Sequence, residues 1–371
     1  MPKIDRLLDL MVKDEASDLH LSTGQRPFLR IHGVMTRIDT EPILTSEAIL
    51  ALLHEVMHED GRVQLEREMD TDFAYKVDRL GRFRVNGFHD MNGVGAVFRL
   101  IPDKIPTFDQ LNMPQTLHDL CYLSKGLVLV TGPTGSGKST TLYASLRRIV
   151  TPDVKAITVE DPVEYHVDGV NQIQVNHQVG LDFAAGLRAI LRHDPDIVMI
   201  GEIRDKETAD AAVQASLTGH LVFSTLHTND SAGAATRLLD MGVEPFLVAS
   251  TVEGVLAQRL VRRVCRHCSV RVHPTPAELP PGFGEVPAEG LPSAVGCREC
   301  RGTGYRGRVG IYELLTSSEA TKELVMARAS SSRIAEAAVR SGDLSLLRED
   351  AFTKVRAGLT TLDEALQTTR G

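Results

Sequence analysis

Apolar positions along this chain recur at two periods, and each change of period marks an element. Ile4, Leu7, Leu8, Leu10 and Met11 fall at helical spacing with charges between them, which predicts an amphipathic helix and not a signal peptide. Asp18-Leu-His-Leu-Ser22 alternates as a strand does. Phe28-Leu-Arg-Ile-His32 and Val34-Met-Thr-Arg-Ile38 predict a hairpin about His32-Gly33. Ser46 to Met57 predicts a helix capped by Ser46. Asp72–Val77, Arg82–Phe88 and Gly95–Ile101 are further strands, the last two joined by a turn at Asn92-Gly93. In Arg82-Phe-Arg-Val85 the arginines share one face, and alternation alone makes that a solvated one. Residues 1–101 therefore read as a small α+β domain. Pro102 and Pro106 open a linker over 102–114, and helical register runs from Leu111 to Leu120.

From residue 115 the pattern becomes strand–helix–strand, the mark of a parallel sheet covered on both faces. Leu127–Val130, Ala156–Val159, Ile197–Ile200 and Leu221–Ser224 are short and wholly apolar, as strands buried on both sides are. Asp182–Arg192 and Lys206–Leu217 are intervening helices. Residues 262–310 change character, with six prolines from Pro274 to Pro292 between Cys265-x-x-Cys268 and Cys297-x-x-Cys300. The tail, 315–371, reads as helical; Gly358 stops one helix and Thr361-x-x-Glu364 starts the last as a capping box.

One stretch changes the picture most. Gly132-Pro-Thr-Gly-Ser-Gly137-Lys138-Ser139 fits G-x-x-x-x-G-K-[ST] without mismatch, after an apolar strand and before the helical run Thr140–Val150. Glycines let successive N–H groups turn inward on phosphate oxygens, and the helix start adds a favourable field. Lys138 is placed to reach the β- and γ-phosphates of ATP, and the Ser139 hydroxyl to ligate Mg²⁺. Gly132, Pro133, Thr134, Gly135, Ser136, Gly137 and Thr140 complete the cradle. A chance glycine turn would not carry both flanks.

Bulk properties exclude some classes. The 371 residues carry 41 Lys+Arg against 49 Asp+Glu, net −8, so no basic field favours nucleic acid or anionic lipid. No apolar run approaches the ~18–20 residues of a membrane span. Five cysteines, four of them in two tight pairs, suit metal ligation in a reducing compartment more than disulfides, and the cytoplasm is the expected location. Four thiolates make a closed tetrahedral Zn²⁺ shell. Redox C-x-x-C chemistry is the rival, and iron is the other metal open. Cys121 reads as a small buried residue.

Hydrolysis also needs carboxylates near the phosphates. Asp196-Ile-Val-Met-Ile-Gly201-Glu202 ends an apolar strand in an acid, where ligands of such sheets bind, so Glu202 is the expected polariser of water. Thr158-Val-Glu160-Asp161 ends another strand; Glu160 and Asp161 are candidates for Mg²⁺ through water or for the base, and Glu164 reads as a solvated charge. His220 and His227 flank the strand Leu221–Ser224. His220 is the candidate γ-phosphate sensor, and His227 reads as structural.

The chain resembles the type II secretion and type IV pilus (traffic) ATPases over nearly its whole length. GPTGSGKST, ITVEDPVE, RHDPDIVMIGEIRD and TGHLVFSTLHTND occur in that family's order. The resemblance implies a RecA-like P-loop core after a mobile, PAS-like N-terminal domain, assembled as a homohexamer. It implies a motor at the inner face of the cytoplasmic membrane, bound only through a platform protein. It also implies that Arg84 of FRVN and Arg99 of VFRLI reach the phosphates, with Arg82 the weaker candidate. DLHLS, GRFRVNGFHD and GAVFRLIP resemble the retraction ATPases; the tetra-Cys module, GTGYRGRVGIYELL and the tail resemble assembly and secretion ATPases. The long N-terminal docking domain of many assembly ATPases has no counterpart here. Neither has the retraction group's Ala-Ile-Arg-Ala-Ser-type tail motif between Leu315 and Ser332. A nucleic-acid motor and a non-hydrolysing paralogue are the other classes; the acidic balance opposes the first, and Lys138, Ser139 and Glu202 oppose the second.

Overall fold

Alternation in the first hundred residues becomes one antiparallel sheet. Its strands are β1 (Ala16–Ser22), β2 (Phe28–Ile31), β3 (Val34–Arg37), β4 (Asp70–Val77), β5 (Gly81–Asp90) and β6 (Gly93–Ile101), ordered β3-β2-β1-β6-β5-β4. Helices α1 (Asp5–Lys13), α2 (Ser46–His54) and α3 (Glu59–Glu68) belong to the same unit. Leu8, Leu19, Ile49, Leu53, Phe83 and Phe98 are sealed in its core. The computed structural model describes residues 2–31, 33–101 and 104–370. The predicted turn residue His32 and the linker residues Pro102 and Asp103 lie outside them. Residues 1–104 and 105–371 form two compact units.

The second unit begins with α4 (Phe108–Leu111) and α5 (Gln115–Leu120). Its sheet alternates strands with helices: β7 (Gly126–Thr131), α6 (Lys138–Ile149), β8 (Ala156–Glu160), β9 (Val170–Gln174), α7 (Phe183–Ile190), β10 (Ile197–Ile200), α8 (Lys206–Leu217) and β11 (Leu221–Leu226). Then come α9 (Ala232–Asp240), α10 (Pro245–Thr251) and the long β12 (Val252–Val264). A small hairpin, β13 (Val270–Val272) with β14 (Leu291–Ser293), precedes β15 (Tyr305–Thr316). The chain closes with α11 (Glu319–Met326), α12 (Ser331–Ser341), β16 (Leu344–Ser345), α13 (Leu347–Arg356) and α14 (Leu362–Thr369). The eight strands run β16-β15-β12-β7-β11-β10-β8-β9. The six from β12 to β9 pair in parallel, and β15 and β16 are antiparallel additions. Apolar clusters lie on both faces, one containing Leu187, Val213 and Leu238, the other Tyr143, Leu146 and Leu117. This is the expected α/β class, and β7, β8, β10 and β11 are buried at every position.

Several local expectations change. Thr45, not Ser46, caps α2, accepting from the Ala48 N–H; the Ser46 hydroxyl accepts from the Val94 N–H instead. The Thr361 hydroxyl accepts from the Glu364 N–H, but the Glu364 carboxylate does not close the capping box and holds the Arg262 N–H and guanidinium. The tail is not purely helical, because β15 extends to Thr316 and β16 rejoins the sheet. Cys121 is buried as expected, and burial pushes its thiol up to about 11. Among the described residues no helix is long and apolar enough to cross a membrane.

Candidate nucleotide-binding site

Parallel pairing decides where the chemistry gathers. Thr131 is level with Leu226, and Val128 with Phe223, so the ends of β7 and β11 emerge side by side. The loop after β7 turns through Gly132, Gly135 and Gly137 at φ +141°, +78° and +90°, a region side chains disfavour. Gly132 has a second reason: a Cβ there would lie 2.4 Å from the Gln258 carbonyl oxygen. α6 starts at Lys138 directly behind Gly137, so its first N–H groups close the curl. Pro133, Thr134 and Gly135 are exposed, Ser136 is buried, and Ser139 and Thr140 are half-buried. The Lys138 ammonium folds back onto the loop, donating to the carbonyls of Gly132 (2.8 Å) and Pro133 (3.2 Å). Burial lowers its pKa, and the Glu202 carboxylate opposes that.

Glu202 stands just past β10, its side chain 15% exposed, with one oxygen 2.6 Å from Arg204 and the other 3.4 Å from His227 Nε2. The backbone around it is pinned: the Gly201 N–H donates to Val159 O, the Thr225 hydroxyl to Gly201 O, and the Ile203 N–H to Thr225 O. Across the neighbouring strands the Thr131 hydroxyl meets the Thr228 hydroxyl at 2.6 Å. Asp161 follows β8, with His177 Nε2 at 3.5 Å, and its charge adds to Glu202 in raising the Arg204 pKa.

Two predicted residues are not brought to this cluster. His220 lies at the opposite end of β11; its Nδ1 is 2.9 Å from Ala215 O and its carbonyl accepts from Gly126 at the start of β7. Six residues of extended chain, Leu221 to Leu226, lie between it and His227, a span of roughly 23 Å. Of the two histidines that flank β11, His227 is the one beside Glu202, and His220 is at the other end of the strand. Glu160 is at the correct strand end but only 3% exposed. One of its oxygens accepts from Thr158 (2.6 Å) and Gln172 (3.0 Å), and the other from the Tyr143 hydroxyl. These three hydrogen bonds hold its carboxylate inside the fold. No sequence pattern marks Gln258 or Tyr143; the signal for Arg204 is its position two residues beyond the strand-end acid.

In the first unit, Arg84 and Arg99 are direct cross-strand partners on β5 and β6. Asp72 holds Arg84 through two of its nitrogens. Asp18, 4% exposed, holds Arg99 Nε at 2.7 Å.

The four paired cysteines come together. Their sulfurs lie 3.9 Å (Cys265–Cys297), 3.7 Å (Cys268–Cys300) and 3.8 Å (Cys297–Cys300) apart. No such pair approaches the ~2.05 Å of a disulfide, and a tetrahedron with ~2.3 Å metal–sulfur bonds spaces its sulfurs by ~3.8 Å. The set can hold a metal ion. Burial opposes the Cys300 thiolate, but the N–H groups of Cys297 and Gly304, together with the Cys268 and Cys297 thiols, bring Cys300 down to about 6.

A family model described as Type II/IV secretion system protein matches residues 1–367. This chain belongs to that family. The type IV pilus assembly ATPase PilB of Thermus thermophilus is 43% identical over 377 residues, 96% of this chain and 41% of that protein. The type II secretion system protein E of Pectobacterium carotovorum is 43% identical over 384 residues, 99% of this chain and 75% of that one. The chain thus spans less than half of the first relative and three quarters of the second. Among solved structures, the pilus retraction motor PilT with bound ADP superposes with TM-score 0.80 at 32% identity, covering 100% of this chain and 97% of that one. The Legionella pneumophila ATPase DotB gives 0.74 at 25%, covering 98% and 94%.

The buried Glu160 yields a test. Burial raises its pKa above the usual 4.5, against the hydrogen bonds from Thr158, Tyr143 and Gln172. The folded protein thus holds this proton more tightly than the unfolded chain. That stabilisation is complete below the unfolded value and is lost as pH rises through the folded one. Glu160→Gln has no such proton to lose, so its urea midpoint should gain on that of the parent as pH rises from about 4 to about 8. A difference that stays constant across that range refutes the assignment.

Proposed function

We propose that this chain is an Mg²⁺-dependent ATPase, the subunit of a hexameric motor that drives assembly or retraction of a type IV pilus or of a type II secretion pseudopilus. The observation that carries this is the glycine-curled loop of β7 with Glu202 beside Lys138, held by Arg204 and His227. Its similarity to the pilus assembly ATPase PilB, the pilus retraction motor PilT and the ATPase DotB supports it. In this reading the N–H groups of the loop and Lys138 bind the phosphates, and Ser139 holds Mg²⁺. Held there, Mg²⁺ would supply positive charge against the β- and γ-phosphates. Glu202 takes a proton from the attacking water as the bond to the γ-phosphorus forms; the bond to the β-bridging oxygen breaks and ADP leaves. His227 and Arg204 keep Glu202 aimed.

Arg84 and Arg99 both reach phosphate when the first unit closes on nucleotide in this reading, Arg84 by exchanging its carboxylate partner and Arg99 while still oriented by its own. Asp72 is half-exposed and releases Arg84 readily, whereas buried Asp18 keeps Arg99 in place. Successive closures in a ring of subunits would move a platform protein at the inner face of the cytoplasmic membrane, with no nucleic acid involved. The cysteine set takes structural Zn²⁺, since four thiolates leave no open position for substrate.

Lys138→Ala and Glu202→Gln should each cut steady-state ATP turnover by about 10²-fold or more; a rate like that of the parent in either variant removes the ATPase assignment. Arg84→Ala should lower turnover about tenfold or more while ATP still binds; unchanged turnover sinks the arginine role alone. Elemental analysis should find about one zinc per chain, lost with a fall in melting temperature in Cys268→Ser; a metal-free protein of full stability overturns the metal site.

A further inference from the structure

We propose that Gln258 of β12 is a positioning residue for the phosphate-binding loop, and that it sets the affinity for nucleotide. The inference rests on the reading that this loop receives the phosphates. Gln258 is 2% exposed, in a run where Leu256 and Ala257 are equally sealed. An amide in such a place must find partners. Its Nε2 donates to the Ser136 carbonyl at 2.7 Å, and its Oε1 accepts from the Thr141 hydroxyl at 2.7 Å. The carbonyl can only accept, so it fixes which end of the amide faces the loop. Gln258 also lies against the two glycines that bracket the turn: its backbone oxygen is 2.4 Å from where a Gly132 Cβ would sit, and its Nε2 is 3.3 Å from that of Gly137. A single residue thus meets the start of the loop through its backbone, and the loop's end and the first turn of α6 through its side chain.

The consequence follows from peptide geometry. In a planar trans peptide, the carbonyl and the next N–H point in opposite directions. Drawing Ser136 O toward β12 turns the Gly137 N–H away from it, toward the open side of the loop where a phosphate would bind. The Ser136 hydroxyl cannot supply this restraint, because it is buried without a hydrogen-bond partner. The loop glycines can adopt many other conformations, so an external brace is needed to hold one N–H array.

Gln258→Met keeps length and packing and removes both hydrogen bonds. Titration of the protein with a fluorescent ATP analogue should show Kd about tenfold weaker, or about 1.4 kcal/mol. KM should rise more than kcat falls, and the melting temperature without nucleotide should stay close to that of the parent. Gln258→Glu, which sets a carboxylate against Ser136 O, should bind no better than Gln258→Met. Parent-like affinity in Gln258→Met overturns the inference. So does an affinity loss matched by an equal loss of stability without nucleotide, which would mark a merely structural residue. Should Gln258→Met not fold, Thr141→Val removes only one of the two bonds; affinity about threefold weaker supports the inference, and unchanged affinity overturns it. A parent protein that binds no nucleotide at all is a failure of the proposed ATPase reading, visible before any variant is made.

Discussion

Strand direction is the constraint on which the rest of this structure depends. β7, β8, β10 and β11 pair in parallel, so their C-terminal ends open on one edge of the sheet. Loops that leave from that edge must share a crevice. The phosphate loop, Asp161, Glu202 and His227 are near one another for that reason, although up to 95 positions separate Gly132 from His227. The same constraint removes His220, which begins the strand that His227 ends. Burial of every residue in these strands makes the edge rigid, and hydrogen bonds such as Thr225 to Gly201 and Thr131 to Thr228 tie neighbouring ends together.

Within that frame, charge is handled by pairing. Arg204 and His227 lie against Glu202; Asp18 and Asp72 hold Arg99 and Arg84; Glu364 holds Arg262. A guanidinium kept beside a carboxylate stays oriented, and a phosphate of greater charge can replace the carboxylate. Glu160 shows the opposite use of an acid. Sealed under Tyr143 and Gln172, it joins β8 to α6 and β9, and its ionisation as pH rises costs stability because the site is buried.

β12 connects parts of the second unit that look separate in sequence. Beside β7 it carries Gln258 against the phosphate loop; Arg262 bonds to Glu364 of α14; and its end runs into Cys265 of the sulfur cluster. The cluster and the tail helices are thereby attached to the strand that braces the nucleotide loop. Phe283, Ile311, Phe352 and Val355 form a separate apolar cluster there.

Much was legible from local chemistry alone. The period of apolar positions located β7, β8, β10 and β11; the glycine spacing identified the phosphate loop; and two C-x-x-C pairs announced a metal set whose sulfurs do converge. These signals are local, because backbone preference and ligand spacing act over a few residues. β12 was not legible: Gly254 to Gln258 are buried without alternation and include a polar side chain, so no period marks a strand. Nor could the chain alone put His227 and not His220 beside Glu202, decide that Glu160 turns inward while Glu202 meets Arg204, or send Glu364 to Arg262 instead of its own helix cap. Those choices depend on which way a side chain leaves a strand end and on what the neighbouring strand offers it. That information lies in pairing between distant segments and exists only once the sheet has formed.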